Sequence, residues 1–517
     1  MPDVTEVEKT LLLVLRAFVD DDIELEDNFY TKGGDSIIAL RVVAAAQEHG
    51  LDIGLADLLL QPTVGELAGV LAAAAESVAD EPLAGPDSAA PIDLPAGVAD
   101  RWQASALQSG LIYLCEMAAD NPGLYHDFLG IRVAADFVEP LFRSALHGVC
   151  RRHAALRSSF DLASYDSAAQ LIWFDIDDPL TVESSAAERD ADDLVAHWRS
   201  RRLAEGFDWA SAPLFRCHVV AGPDWFRLTI GIHHSIIDGW SFARLLVDLL
   251  SLYDAELAGR PARLAPAPSA GHREFRALEH AAAESADSAR FWQEQADARP
   301  LLFARPRFAG SADPSAERAL PLHPGRAAAL RRAAAAAGVP LKSLLLAVHG
   351  WALGRWVGRA HDVVTGLVVN GRPEIEGSDL LVGLFLNTVP LRLRSVTGPL
   401  RELAAQALAA EQHAMPHRRY PLARIEHTLG RPAFDVSFNF THFHVYRELA
   451  DLRRVRVDGW WAYDRASFPL LVNFVVDAPE FGTGVQIAFD PTMVAYERID
   501  VLTALLDEGL DLAVEAE

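Results

Sequence analysis

The sequence predicts a multidomain chain: a small all-α unit of about 80 residues, a linker, and a larger α/β unit of two lobes. Three observations predict it. Apolar residues recur at helical spacing through the first stretch. A segment with the Pro, Gly, Ala and Ser of a linker follows, ADEPLAGPDSAAPIDLPAG at 79–97. From Arg101 onward strand-like runs interleave with helical ones, the texture of α/β layering. That second part has about 420 residues, more than one comfortable core, hence two lobes.

In the first unit Val4, Val7, Leu11, Val14 or Leu15, and Phe18 mark a helix. The acidic loop DDDIELEDNFY separates it from a second helix, which starts near Ser36 and stops at Gly50. A short apolar turn, LADLLL, precedes a last helix, where Thr63 and Glu66 have capping-box spacing and Pro62 precedes the cap. In the second unit FLGIRVAA, LFRCHVV, FRLTIGIHH and DVVTGLVV read as strands. EPLFRSALHGVCRRHAAL and SFARLLVDLLSLYDAEL read as helices. The stretch 258–272, AGRPARLAPAPSAGH, is the expected crossover between lobes. No short-period repeat is visible.

Composition narrows the function. Half the residues are apolar, and the net charge is −26. The first 80 residues hold sixteen acidic and four basic side chains, a net of −12. Such a surface repels nucleic acid and anionic membrane. No run of about 18 uncharged apolar residues suggests a membrane span, and the polar, acidic MPDVTEVEKT argues against a secretory signal. Cys115, Cys150 and Cys217 form no CxxC pair. They suit a reduced cytoplasm and give neither a disulfide frame nor a thiolate zinc site. Lysine is confined to Lys9, Lys32 and Lys342 while Arg and Ala abound, which hints at a GC-rich bacterial genome.

The chemistry concentrates in GIHHSIIDGWS, Gly231–Ser241. Phe226, Leu228, Ile230 and Ile232 share one strand parity, and His234 continues it if the strand persists. His234 then points inward, where a neutral imidazole can act as base or acceptor. Asp238 and Gly239 turn the chain and Ser241 starts a helix. A carboxylate in such a turn is costly unless paired, so Asp238 is expected to hold an arginine or backbone amides. On spacing alone a catalytic pair, two structural histidines and half a metal site all stay open, although no ligand pattern supports a metal.

His233, His234, Asp238 and Gly239 form an HHxxxDG motif that resembles the active-site motif of condensation domains of non-ribosomal peptide synthetases, which related CoA-dependent acyltransferases share. Four more stretches resemble condensation motifs in the family's order. SALQSGLIY (Ser105–Tyr113) resembles the opening motif. RRHAALRSSF (Arg151–Phe160) resembles RHxxLRTxF, with a serine where Thr is usual. VGLFLNTVPLR (Val382–Arg392) resembles GxFVNT. HRRYPLARI (His417–Ile425) resembles HQDYPF, with Arg418 and Arg419 replacing the usual pair. Upstream, NFYTKGGDSIIAL resembles the GGxS core of a peptidyl carrier domain, a four-helix bundle. Its serine, here Ser36, bears 4′-phosphopantetheine derived from CoA. Ser36 at a helix start suits a phosphodiester. The GGDS spelling is also seen on carriers that precede epimerization domains.

The resemblance implies a carrier domain at 1–78, a linker at 79–97, and a condensation domain whose chloramphenicol-acetyltransferase-like lobes, 98–265 and 266–517, meet in a V. The chain then reads as a piece of a cytoplasmic bacterial assembly line. Its implied partners are an aminoacyl or peptidyl thioester donor, a downstream acceptor carrier, adjacent adenylation domains and a phosphopantetheinyl transferase. His234 takes a proton from the acceptor amine or orients it. The Gly239 amide contacts the oxyanion or merely permits the turn. Asp238 is structural, with Arg157 the preferred partner and Arg152 the second. His233 is a structural neighbour. Asn387 lines the tunnel or bonds a strand end. Two rivals stay open: an epimerase, and a silent module that recruits carriers or tailoring enzymes.

Overall fold

The computed structural model describes residues 4–74, 94–295 and 316–515, except positions 31, 35, 62, 119–120, 166, 263, 359–361, 395, 443, 464–467 and 479–481. Among its described residues the first unit has four helices: α1 (Val4–Phe18), α2 (Ser36–Glu48), α3 (Leu55–Leu60) and α4 (Val64–Ala74). Val7, Leu11, Val14 and Leu15 bury one face of α1 against Leu40 and Val43 of α2 and Leu67 and Leu71 of α4. Phe18, expected in that stripe, is 40% exposed because α1 ends there. Gly50, just beyond α2, adopts the left-handed conformation, φ +81°, that closes helices at little steric cost. At α4 the Glu66 N–H donates to Thr63 Oγ1 at 3.2 Å, and the Thr63 hydroxyl donates to the Glu66 carboxylate at 3.1 Å. Most of the expected linker, 79–93, lies outside the described residues.

Among the described residues the larger part carries three sheets. A three-stranded sheet runs β1 (Val98–Gln103), β4 (Ala169–Trp173), β3 (Ser158–Asp161). A five-stranded sheet has the order β12 (Arg456–Tyr463), β2 (His126–Ala134), β7 (Phe226–His233), β6 (Phe215–Ala221), β5 (Leu180–Ser184). All its pairings are antiparallel except β5 with β6. A six-stranded mixed sheet has the order β10 (Leu386–Arg394), β9 (Asp362–Asn370), β11 (Val436–Thr441), β13 (Leu470–Ala478), β14 (Gly482–Phe489), β8 (Ala316–Pro321). The helices Glu139–Arg152 and Gly239–Leu257 cover the first lobe's core. Leu341–Trp356, Leu400–Ala414 and Tyr496–Glu515 cover the second.

Division of the lobes at 265/266 does not separate the sheets cleanly. β12 belongs to the later segment in sequence, yet it pairs with β2 at the edge of the first lobe's sheet. Two contacts hold this crossing. The buried Asp254 carboxylate accepts the backbone N–H groups of Arg453 and Arg454, at 2.8 and 2.6 Å. Arg244 pairs with Glu448 at 2.8 Å. Gly130 on β2 then lets Trp461 of β12 lie flat over it, since a Cβ there would meet the indole at 1.8 Å.

Candidate active site

The motif strand β7 lies inside its sheet, and both of its faces are buried from Leu228 on. Alternation therefore misreads its end. The strand stops at His233, and His234–Ile236 form one 3₁₀ turn that takes His234 off strand parity. His233 is the buried imidazole, 2% exposed. Its Nδ1 accepts the Ser235 N–H at 3.1 Å, and its ring packs edge-on against Trp209. Burial, and next the neighbouring His234, push its pKa down to about 3, so it stays neutral. His234 is about a quarter exposed, and its Nδ1 lies 3.0 Å from Asp127 Oδ2 on β2. A neutral imidazole whose Nδ1–H faces a carboxylate keeps its lone pair on Nε2, the form that accepts a proton. Antiparallel register supplies Asp127: it sits opposite Ile232, two residues before His234. Sequence reasoning missed Asp127, which stands in a strand with no motif of its own.

Asp238 caps the helix Gly239–Leu257. Its Oδ1 accepts the Ser241 N–H at 2.8 Å, the role expected of a carboxylate at this position. Its arginine is Arg372, at 3.0 Å, with both side chains at most 1% exposed. Asp238 Oδ2 accepts the Phe385 N–H at 3.1 Å, and the Asp238 N–H donates to Gly383 O at 2.9 Å. The motif corner is thus bolted to the second lobe. Gly239 opens the helix and is exposed.

Neither Arg157 nor Arg152 pairs with Asp238. Arg157 donates to the carbonyls of Cys150, at 2.9 Å, and Trp173. Arg152 lies 2.9 Å from Asp248, which also binds His153 at 2.9 Å and Arg244 at 2.6 Å. Burial alone would raise the Asp248 carboxyl, but His153 and Arg244 hold it below the usual range. These two arginines fasten their own segment, and Arg152 grips the motif helix at Asp248, roughly three turns past its cap. Arg372 lies 134 residues from Asp238, in a loop without a recognised pattern.

The other stretches converge on the same corner. Gln108 donates to Ser235 O at 2.8 Å and accepts from Arg276 at 2.7 Å, so the opening stretch fixes the turn that carries His234. Arg419 donates to the carbonyls of Gly371 and Arg372, both at 2.9 Å, and Arg418 pairs with Glu374. Burial, and next Arg418, lower the Arg419 pKa to about 10. Asn387 spends its amide on Arg418 O and Tyr420 O, at 2.9 and 2.8 Å, and its carbonyl accepts the Thr388 N–H. It ties β10 to the HRRYPL stretch.

Ser36 is the first residue of α2, a 13-residue helix with no acidic side chain in its first turn. The approach is glycine-shaped: Gly33 has φ +104°, and Gly34 presses on Phe29 so closely that a Cβ would meet the ring at 2.4 Å. These features fit a phosphodiester at the helix start, where the helix dipole favours negative charge. Among the described residues no group of three or more His, Cys, Asp and Glu is placed to hold a metal. No single helix among them is long and apolar enough to cross a membrane.

Comparison with known proteins agrees with this arrangement. Residues 98–467 match the family described as condensation domain, and residues 7–71 match the phosphopantetheine attachment site. The AMB antimetabolite synthetase AmbE of Pseudomonas aeruginosa is 36% identical over 522 residues, covering 94% of this chain and 23% of that protein. Phosphinothricin tripeptide synthetase PhsC of Streptomyces viridochromogenes is 29% identical, covering 79% of this chain and 40% of that one. The chain thus spans less than half the length of these relatives. In fold it is similar to the first condensation domain of the calcium-dependent antibiotic synthetase (TM-score 0.66, 20% identity, 81% of this chain and 97% of that one). It is likewise similar to the X-domain from teicoplanin biosynthesis (TM-score 0.65, 20% identity, 82% and 96%).

Proposed function

Because this chain belongs to the condensation-domain family of non-ribosomal peptide synthetases and carries a phosphopantetheine attachment domain ahead of it, we propose that it joins a donor acyl group to an acceptor aminoacyl thioester as an amide. The acceptor's α-amine attacks the donor thioester carbonyl. The C–N bond forms, the C–S bond breaks, and the amine loses a proton while the departing thiolate gains one. When bound to Ser36, 4′-phosphopantetheine supplies the thiol that holds the donor. The observation that carries this reading is His234 held through Nδ1 by Asp127, at a corner that Asp238 and Arg372 pin to the second lobe. His234 Nε2 receives the amine proton or orients the amine. A thioester is already activated, so holding both reactants in place supplies much of the rate. Gly239, at the helix start, offers its amide to the developing oxyanion, and Asn387 supports the wall between β10 and the HRRYPL stretch.

We keep the division 1–78, 79–97, 98–265 and 266–517, with β12 assigned to the first lobe. The partners are a phosphopantetheinyl transferase, an adenylation domain that loads the arm, and a downstream acceptor carrier. The compartment is the cytoplasm, since the three cysteines are free and suit a reducing environment.

The test begins with intact mass after treatment with CoA and a transferase. One arm is expected, lost in Ser36→Ala; an arm on another serine overturns the assignment. The loaded chain is then given an acceptor amine. Amide product requires the acceptor. Donor racemisation without acceptor would point to epimerization instead, and no consumption of donor would point to a recruiting module.

A further inference from the structure

Among the described residues the carrier unit meets the condensation unit through a mixed contact that includes an ion pair and a side-chain-to-carbonyl bond. Arg41 on α2 sends Nε and Nη2 to Asp379 Oδ2, at 2.8 and 2.5 Å. The Asp379 side chain is only 7% exposed. Beside this pair, Gln412 of the helix Leu400–Ala414 donates to Leu59 O of α3 at 2.6 Å. Glu48 of α2 meets Glu376, a like-charge contact that opposes docking. Its hydrogen bond, and next its charge, hold the Glu376 carboxyl above the usual range.

Asp379 belongs to the 3₁₀ turn Ser378–Leu380, whose other side faces the motif corner. Trp240 Nε1 donates to Asp379 O at 2.8 Å. Three residues on from that turn, Gly383 O accepts the Asp238 N–H at 2.9 Å and the Ser241 hydroxyl at 2.9 Å. One short segment therefore holds the carrier with a side chain and the HHxxxDG corner with its carbonyls.

We propose that residues 378–383 are a docking reader: Asp379 selects this chain's own carrier through Arg41, and the segment's carbonyls pass the docked state to Asp238, Trp240 and Ser241. Charge supports the selectivity. The carrier has only four basic residues within its first 80 positions against sixteen acidic ones. A carrier with a carboxylate at the place of Arg41 meets a sheltered Asp379 and is rejected, since like charges across an interface are a strong discriminator. The attractive pair and the opposing Glu48–Glu376 contact together give selective but releasable docking, which suits a carrier that must travel between partners.

The catalytic readout rests on the condensation reading, so the test has a second readout that does not. Full-length Arg41→Asp, Asp379→Arg and the double swap are compared with wild type. The first measurement is the rate of amide formation with the donor on Ser36, divided by the rate with the same acyl group as a small diffusible thioester. The second is amide hydrogen exchange of residues 55–60, 376–383 and 238–241. Each single variant should lower the ratio about tenfold or more and deprotect all three segments. The swap should restore both to within about threefold. Unchanged ratio and protection in the single variants overturn the proposal, as does a swap that fails to rescue them. Loss of protection at 376–383 with 238–241 untouched keeps the docking pair and overturns the relay. If the wild type forms no amide from either donor, the condensation reading fails, and hydrogen exchange still decides the docking.

Discussion

Asp127 fixes which nitrogen of His234 carries the proton, and this makes a single-residue prediction. In Asp127→Asn the amide can face Nδ1 with either its oxygen or its NH₂, so the tautomer is no longer enforced. Single-turnover amide formation should fall about ten- to a hundredfold, less than the general-base limit of about 10²–10⁴ expected for His234→Ala. The melting temperature should stay within a degree or two, because both side chains keep contact with solvent. His233 stays neutral down to about 3, so its imidazole cannot stand in for His234 as a charged group in either protein. His234, Asp238 and Ser36 are legible in the sequence because each lies within a few residues of its motif partners. Asp127 is not, because only the antiparallel register of β2 against β7 brings it near. Parity placed His234 on the wrong footing for a related reason: a strand's alternation says nothing about where the strand ends.

The corner between β7 and the following helix depends on the loop after β9, which delivers Arg372. Asp238→Ala and Arg372→Ala should each destabilise the chain by about 3–5 kcal/mol, measured by urea unfolding, since each leaves one buried charge unpaired. The double variant should cost clearly less than the sum, the signature of direct coupling. An additive pair would mean that Arg372 supports the loop by packing on Phe385, 4.5 Å below its guanidinium, rather than by its charge. Arg372→Lys should recover only part of the loss, because the guanidinium also stacks over the Phe385 ring while its Nη2 serves Asp238 Oδ1 and Ser241 Oγ. Helices such as Glu139–Arg152 and Gly239–Leu257 are legible from periodicity, although the second begins at Gly239, two residues before the expected Ser241, because Asp238 caps it. The arginine that pairs with Asp238 was not: candidates inside a recognised motif, Arg157 and Arg152, were already committed to carbonyls and to Asp248. Nothing local marked Arg372, because its partner is in the other lobe.

Across the whole molecule, buried neutral histidines set an acid limit. His233 and His349 are both lowered from 6.5 to about 3, chiefly by burial; His349 is fully buried and bonded to Thr365 at 2.9 Å. Unfolded, each binds a proton once the pH drops below about 6.5; folded, neither does until about 3. Stability is therefore full above pH 6.5 and is lost as the pH falls through that window, at about 1.4 kcal/mol per pH unit for each histidine. Carboxylates held low act only below their ordinary values, 3.8 for Asp248 and 4.5 for Glu374. The urea midpoint should thus drop between pH 6.5 and 4, and His349→Gln should flatten that limb; an unchanged limb would place the titration elsewhere.

The strand β12 has a consequence for how relatives of this chain can exchange parts. A recombination breakpoint at the 258–272 crossover would move the second lobe together with the edge strand of the first, so a hybrid would carry a foreign Trp461 over a native Gly130. Any neighbour larger than glycine at that place excludes the indole. Viable chimeras should therefore need two exchanges, with Arg456–Tyr463 travelling with the first lobe. Scission at the crossover should leave two fragments that cannot each complete their own sheet, and they should regain a fold only when produced together.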